Sequence, residues 1–333
     1  MLGLNRWDTT TPESLAADIA RGEAIGYSHA LLGTNSLRLW DTYVLLALAA
    51  RQTRSIRLAP FVDNPVMRHP ATLAGSIATV DELSAGRADL VLGVGDTAVR
   101  WAGQRPATVS RLERDTALTR RLLAGEPVDP EAASPVRLEH ARPVPVWIAA
   151  GGPKTLRMAG RVADGVYLRV GRAAANLRAA VAAVHAGAKE AGRDPSSISI
   201  GLVLHTITPR GGPETTAIAR SVAAGFYQYS PMLFDRVGLS WDGPPPRELS
   251  RLVWPDFHHA PDLAAAGELV SFLTESAAEG FALFGTPRDI ADQLRAAIGT
   301  VGRVDVVVPN PMPKPLPSDD FARWFAERVW PLV

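Results

Sequence analysis

The chain has 333 residues, 47% of them hydrophobic and 21% charged, with a net charge of +1, which suits a globular enzyme with a large buried core. The near-neutral charge, with no long run of one sign, excludes a nucleic-acid or membrane-surface footprint. The absence of cysteine excludes disulfides, thiolate metal sites and thiol nucleophiles, and makes a reducing compartment the default.

The first residues, Met1 to Asp8, lack the basic start and apolar core of a signal peptide. The longest apolar run, residues 43–50, is too short to span a bilayer, so a cytoplasmic, soluble chain is expected. The first predicted strand is residues 2–5. Thr11-Pro12-Glu13-Ser14 then supplies the polar cap, early proline and acid of a helix start, and apolar periodicity runs to about residue 24. Strands at 30–32, 56–60 and 88–92 alternate with helices near 42–51, 71–83 and 111–123. Strands at 145–149, 166–168 and 198–204 follow, with helices at 155–162 and 173–191 between them. A helix at 287–298, a strand at 304–308 and a helix at 321–329 close the chain.

Strands that read as Val/Ile/Leu runs are buried on both faces, and their alternation with helices specifies a parallel sheet under helical cover. Eight such units in one chain of this length favour an α/β fold of the (β/α)8 TIM-barrel type over an open sheet. Residues 213–284 break the rhythm with Gly243-Pro244-Pro245-Pro246, two aromatic clusters and helical stretches. They read as a helical insertion after strand 7, within a single barrel domain spanning 1–333.

Barrel enzymes carry their chemistry at the C-terminal ends of the strands. The positions to inspect are Asn5-Arg6-Trp7, Gly33-Thr34-Asn35, Phe61-Val62-Asp63-Asn64, Gly93-Val94-Gly95-Asp96, Gly151-Gly152-Pro153-Lys154, Arg169, His205 and Pro309-Asn310. Gly151-Gly152-Pro153-Lys154-Thr155 follows an apolar strand and opens a helix. The exposed first-turn amides and the helix dipole make a phosphate cradle there, to which Lys154 and Thr155 add a charge and a donor. A plain turn with a solvated lysine is the equal alternative.

Gly93-Val94-Gly95-Asp96-Thr97-Ala98 matches a relaxed dinucleotide fingerprint. It sits on the fourth strand, however, and no apolar-periodic helix is predicted directly after Ala98, so a Rossmann reading is rejected. The glycines instead allow a flat ring or substrate close to the strand end, with Asp96 as a ligand-bonding group or a turn residue. Pro60, Pro65 and Pro70 keep the third strand's end extended, and spacing alone makes that stretch a rigid loop. Ala85-Gly86-Arg87 reads as a helix stop and a structural arginine. His258, His259 and the other histidines show no metal-ligand spacing and are read as solvated or capping groups, so no metal is expected. There is no Gly-x-Ser-x-Gly elbow.

Together these residues resemble the luciferase-like superfamily, and most closely its F420-dependent branch typified by methylene-tetrahydromethanopterin reductase. The resemblance rests on residues 56–65, Arg68-His69-Pro70-Ala71, residues 77–88 and Leu92-Gly93-Val94-Gly95-Asp96. Gly152-Pro153-Lys154-Thr155-Leu156, Ala163-Asp164-Gly165-Val166 and Phe284-Gly285-Thr286-Pro287 extend it over nearly the whole length.

The resemblance implies a barrel with an insertion and a tricyclic cofactor at its C-terminal face. That cofactor would be coenzyme F420, with FMN the alternative, backed by a non-prolyl cis peptide at Phe61–Val62. Its phosphate would meet Gly151, Gly152, Pro153, Lys154 and Thr155. Phe61, Val62, Asp63, Asn64, Gly93, Gly95 and Asp96 would line the ring and ribityl region. It also implies a homodimer through helices 2 and 3, and Arg6, Arg68, Arg100 or Arg169 as partners of the acidic F420 tail.

The chain departs from the reductase pattern at Asn5, where an acid is frequent, at Thr34-Asn35, where Asp-His is common, and at Phe61, usually glycine. Asn35, limited to hydrogen bonding, and Asp96 are the candidate catalytic residues, and the substrate is expected to differ. The reading is therefore an F420-dependent reductase or dehydrogenase moving hydride to or from a small organic C=C, C=N or alcohol. An FMN-dependent monooxygenase and a non-catalytic ligand-binding barrel are the alternatives.

Overall fold

The computed structural model describes residues 1–6, 11–207, 212–249, 251–313 and 318–333. Trp7, at the expected end of the first strand, lies outside the described residues. The chain divides into two compact units, one of residues 1–167 and 183–201, the other of residues 168–182 and 202–333.

In the first unit the elements follow the expected alternation: β1 (Gly3–Arg6), α1 (Pro12–Ala24), β2 (His29–Leu32), α2 (Thr42–Gln52), β3 (Arg57–Pro60) and α3 (Pro70–Ser84). Then come β4 (Leu90–Leu92), α4 (Thr97–Trp101), α5 (Val109–Leu123), β5 (Val146–Ala150), α6 (Pro153–Val162) and β6 (Gly165–Leu168), with the C-terminal part of α7 (Ala174–Glu190). The strands β1, β2 and β3 pair in parallel, Asn5 opposite Leu31 and Leu31 opposite Ala59. Isolated bridges Leu58–Ala88 and Asp63–Leu92 carry β3 on to β4, which pairs in parallel with β5.

Local chemistry sets the helix starts. Thr11, Asp41 and Thr108 each accept a first-turn amide with their side chains, satisfying donors that have no partner inside the helix. As expected, α3 stops on Ala85 and Gly86, both at positive φ. Arg87 is structural, donating to the carbonyls of Ala50, Thr53, Ile56 and Ser84. Helix α4 is a correction: a five-residue helix begins at Thr97, where no apolar period marks one. Helices α6 and α7 cross closely through glycine, since a Cβ on Gly187 would stand 1.8 Å from the Arg157 carbonyl oxygen.

The second unit holds most of β7 (Ser199–Ile207), then α8 (Gly212–Tyr229), α9 (Met232–Asp235), α10 (Pro246–Leu249), α11 (Leu263–Glu268) and α12 (Glu275–Glu279). A two-residue strand β8 (Ala282–Leu283), α13 (Pro287–Val301), β9 (Val306–Met312) and α14 (Ser318–Trp324) follow. The segment read as an insertion is helical, and it ends on β8, which pairs in parallel with β7. That strand was not foreseen. β9, the eighth strand of the sequence reading, also pairs with β7. Helix α13 opens with a full capping box between Thr286 and Asp289.

Candidate active site

The ends of β2 and β3 build a small open cleft. It is lined by Thr34, Asn35, Asp63 and Asn64 from the strand ends, by Trp40, Asp41 and Thr42 at the start of α2, and by Met67 and Arg68. Strand β3 leaves its ladder at Phe61–Val62, a cis peptide bond between non-proline residues. It rejoins at Asp63, whose amide donates to the Val91 carbonyl at 3.0 Å and whose carbonyl accepts from Gly93 at 2.9 Å. The Val62 carbonyl, turned out of the ladder, accepts from the Thr34 hydroxyl. Thr42 donates to the Gly33 carbonyl at 2.9 Å, tying the β2 end to α2.

Asp63, 3% exposed, is the charged floor of the cleft. Its Oδ2 accepts from the Tyr43 hydroxyl at 2.9 Å, its Oδ1 from the Asn64 amide at 2.8 Å, and the Arg68 Nε stands 3.6 Å away. Burial pushes the Asp63 carboxyl up from its ordinary range, against these groups that draw it down. Burial and the adjoining Asp63 together push the Tyr43 phenol well above its ordinary value. Arg68 lies over the Tyr43 ring at 4.8 Å and pairs with Asp41, so aromatic and carboxylate partners fix the guanidinium together. Asn64, also buried, accepts from the Val66 and Met67 amides and holds the turn. The Asn35 side-chain oxygen accepts from the Leu37 amide at 3.2 Å, bending the loop that forms the mouth.

The other expected positions lie around this cleft. Gly93 packs against the Val62 side chain: a Cβ there would come 3.0 Å from Val62 Cγ1, and that methyl would have to give way. Gly95 has φ +72°, and Val99 and Asn64 fill the side a Cβ would take. Asp96 pairs with Arg100 one turn on. After β5, Gly152 caps α6 without any side-chain hydrogen bond, and the space beside its Cα is open. Pro153 occupies the first helical position, and Lys154 is exposed. The amides of Lys154 and Thr155 therefore point, with the helix dipole, at an uncovered helix start.

A family model for luciferase-like monooxygenases matches residues 6–303. The chain belongs to the luciferase-like monooxygenase family. It is 30% identical over 285 residues to the 5,10-methylenetetrahydromethanopterin reductase of Methanolobus tindarius, covering 82% of each chain. The solved structure of the coenzyme F420-dependent tetrahydromethanopterin reductase from Methanopyrus kandleri matches it with a TM-score of 0.79 and 23% identity, over 99% of this chain and 98% of that one. An F420-dependent secondary alcohol dehydrogenase, solved with an F420–acetone adduct, matches with a TM-score of 0.73 and 15% identity, over 100% and 99% of the two chains. The fold is thus the (β/α)8 barrel of this family, and the protein is an oxidoreductase of the luciferase-like kind.

Several sequence expectations change. Arg6 is buried and paired with Asp18, and Arg100 is paired with Asp96, so Arg6 has no surface to offer an acidic tail. His258 is not solvated. It is buried, its Nε2 lies 2.9 Å from the Val222 carbonyl, and it stacks on His205 at 4.6 Å. Burial holds the His258 imidazole down at about 3. The His259 Nδ1 sits 2.8 Å from both oxygens of Asp256. That bond keeps Asp256 below the usual carboxylate range, although burial pushes the other way. No cluster of metal-ligating residues occurs among the described residues, and no helix among them is long and apolar enough to cross a membrane. Tyr43, Asp41 and Arg68 were missed as a unit. The one signal for them was an aspartate directly before the predicted second helix.

Proposed function

We propose that this protein is an F420-dependent oxidoreductase moving hydride between the deazaflavin and a small organic substrate. The observation that carries the reading is the uncovered start of α6. Gly152 offers open space, no side chain caps the first turn, and Lys154 and Thr155 flank it. This is the chemistry of a phosphate cradle, in the same unit as the polar cleft at the ends of β2 and β3. The residues present fit a phosphate-bearing ring cofactor. F420 is favoured over FMN by the reductase and dehydrogenase relatives, which are F420 enzymes by name.

Bound there, a deazaflavin supplies a two-electron hydride donor or acceptor. Residues 151–155 would hold the phosphate, while Phe61, Val62, Asp63, Asn64, Gly93 and Gly95 shape the wall beside the ring. Asn35 and Thr34 present polar groups that orient a reducible C=O, C=N or C=C, and Asp96 adds a hydrogen-bonding group at the rim. A homodimer through α2 and α3 belongs to the same reading, supported by the exposed Val44 and Leu83 on those helices. Fluorescence titration with F420 and with FMN tests the assignment. Saturable binding of F420, weakened in Lys154→Ala with an unchanged melting temperature, is expected. Binding of FMN alone would replace this reading by a flavin monooxygenase.

A further inference from the structure

The cleft at the ends of β2 and β3 also carries information about its substrate. Its titratable lining residues are two carboxylates, Asp41 and Asp63, and one guanidinium, Arg68. Arg68 is engaged on both sides, by the Asp41 Oδ2 and by Asp63 at 3.6 Å, with its plane over Tyr43. An incoming carboxylate or phosphate would meet no unmatched cation, and would be placed beside two like charges. Beside Asn35 and Ser36, three exposed apolar side chains stand on the lining: Leu37 is 62% exposed, Trp40 53% and Met67 38%. Exposed apolar side chains beside uncharged hydrogen-bonding groups and a matched ion pair suit an uncharged ligand with an apolar body.

We infer that this cleft selects uncharged, apolar-bodied carbonyl or imine compounds, and that Asp41 determines this specificity by occupying Arg68. The inference rests on the function proposed above for the site, but it concerns binding, which is measured separately from cofactor affinity. The two oxygens of Asp41 divide their work. Oδ1 accepts from the Tyr43 and Val44 amides at 3.0 and 3.2 Å and caps α2, while Oδ2 holds Arg68. Asparagine is as good a cap as aspartate, so Asp41→Asn keeps the helix start and removes only the charge that engages Arg68.

Ligand-observed NMR on the full chain, with two probes of matched size, 4-phenyl-2-butanone and 3-phenylpropionate, tests this. The wild-type protein is expected to bind the ketone at least tenfold more tightly than the carboxylate. Asp41→Asn should shift the ratio of the two affinities at least tenfold toward the carboxylate, and adding Arg68→Gln should remove that gain. Asp41→Ser, which also caps, should shift the ratio in the same direction should the asparagine variant fold poorly. Equal binding of both probes by the wild type, binding of neither, or an unmoved ratio in both Asp41 variants would overturn the inference. F420 titration of the same samples reports separately on the cofactor assignment, so the two failures are distinguishable.

Discussion

The β2–β3 cleft of the first unit and the helical segment after β7 in the second both bury polar side chains, but to opposite ends. In the cleft, Asp63, Arg68 and Asp41 are charged, partnered to one another and to the buried Tyr43, and line an opening. In the second unit, His258 of the helical segment stacks on His205 of β7 inside an aromatic cluster. Phe226 lies 5.1 Å from His258 and 5.3 Å from His205, and Phe281 stands 5.1 Å from Phe226. There a histidine behaves as a ring that fills space and spends its nitrogen on a backbone carbonyl. Burial of a titratable group is therefore no sign of chemistry by itself. An opening beside it makes the difference.

That comparison can be broken most forcefully in the sealed region. Phe226→Ala removes the ring on which His205, His258 and Phe281 all pack. It should cost about 3–5 kcal/mol of stability, read by denaturant unfolding, while F420 affinity of the protein that remains folded changes little. A loss below about 1 kcal/mol would mean that the cluster is loosely packed.

The same region sets a pH dependence. The folded value of His258, about 3, lies below its ordinary 6.5. The unfolded chain therefore takes up that proton first, and stability is complete above pH 6.5 and falls as pH drops toward 3. His29, held at about 4 mainly by burial, adds to the same trend. His258→Gln keeps a donor for the Val222 carbonyl and removes one titration. Between pH 6.5 and 4.5 it should lose roughly 2 kcal/mol less stability than the wild type. Parallel pH curves for the two proteins would show that His258 is not the group responsible.

The smallest expected effect on stability lies in the cleft. Tyr43→Phe takes one donor from the buried Asp63 carboxylate, leaving the Asn64 amide and Arg68 in place. It should cost about 1–2 kcal/mol and lower turnover more than it lowers the melting point. Full turnover with a large stability loss would make the Tyr43–Asp63 bond purely structural.

The barrel was legible in the sequence because apolar runs of three to five residues, such as Leu90-Val91-Leu92 and Val146-Trp147-Ile148-Ala149-Ala150, recur between capped amphipathic helices. Asn35, Asp63 and Asn64 were legible as polar residues directly after such runs, and all three line the cleft. Strand β8 was not, because two residues carry no periodicity. The Asp41–Arg68 pair was not, because its members sit 27 positions apart on different loops and only the fold brings them together. His258 was misread for a related reason. A His-His pair next to Asp256 looks polar in sequence, and its burial is decided by β7 and α8, which precede it by some dozens of residues.

The central claim is that a phosphate-bearing deazaflavin is anchored at the start of α6 with its ring toward the β2–β3 cleft. A crystal structure of the protein with F420 bound tests it most directly. The account expects the phosphate within hydrogen-bonding distance of the Lys154 and Thr155 amides and the ring against Val62. A phosphate bound elsewhere, with residues 151–155 untouched, would contradict it.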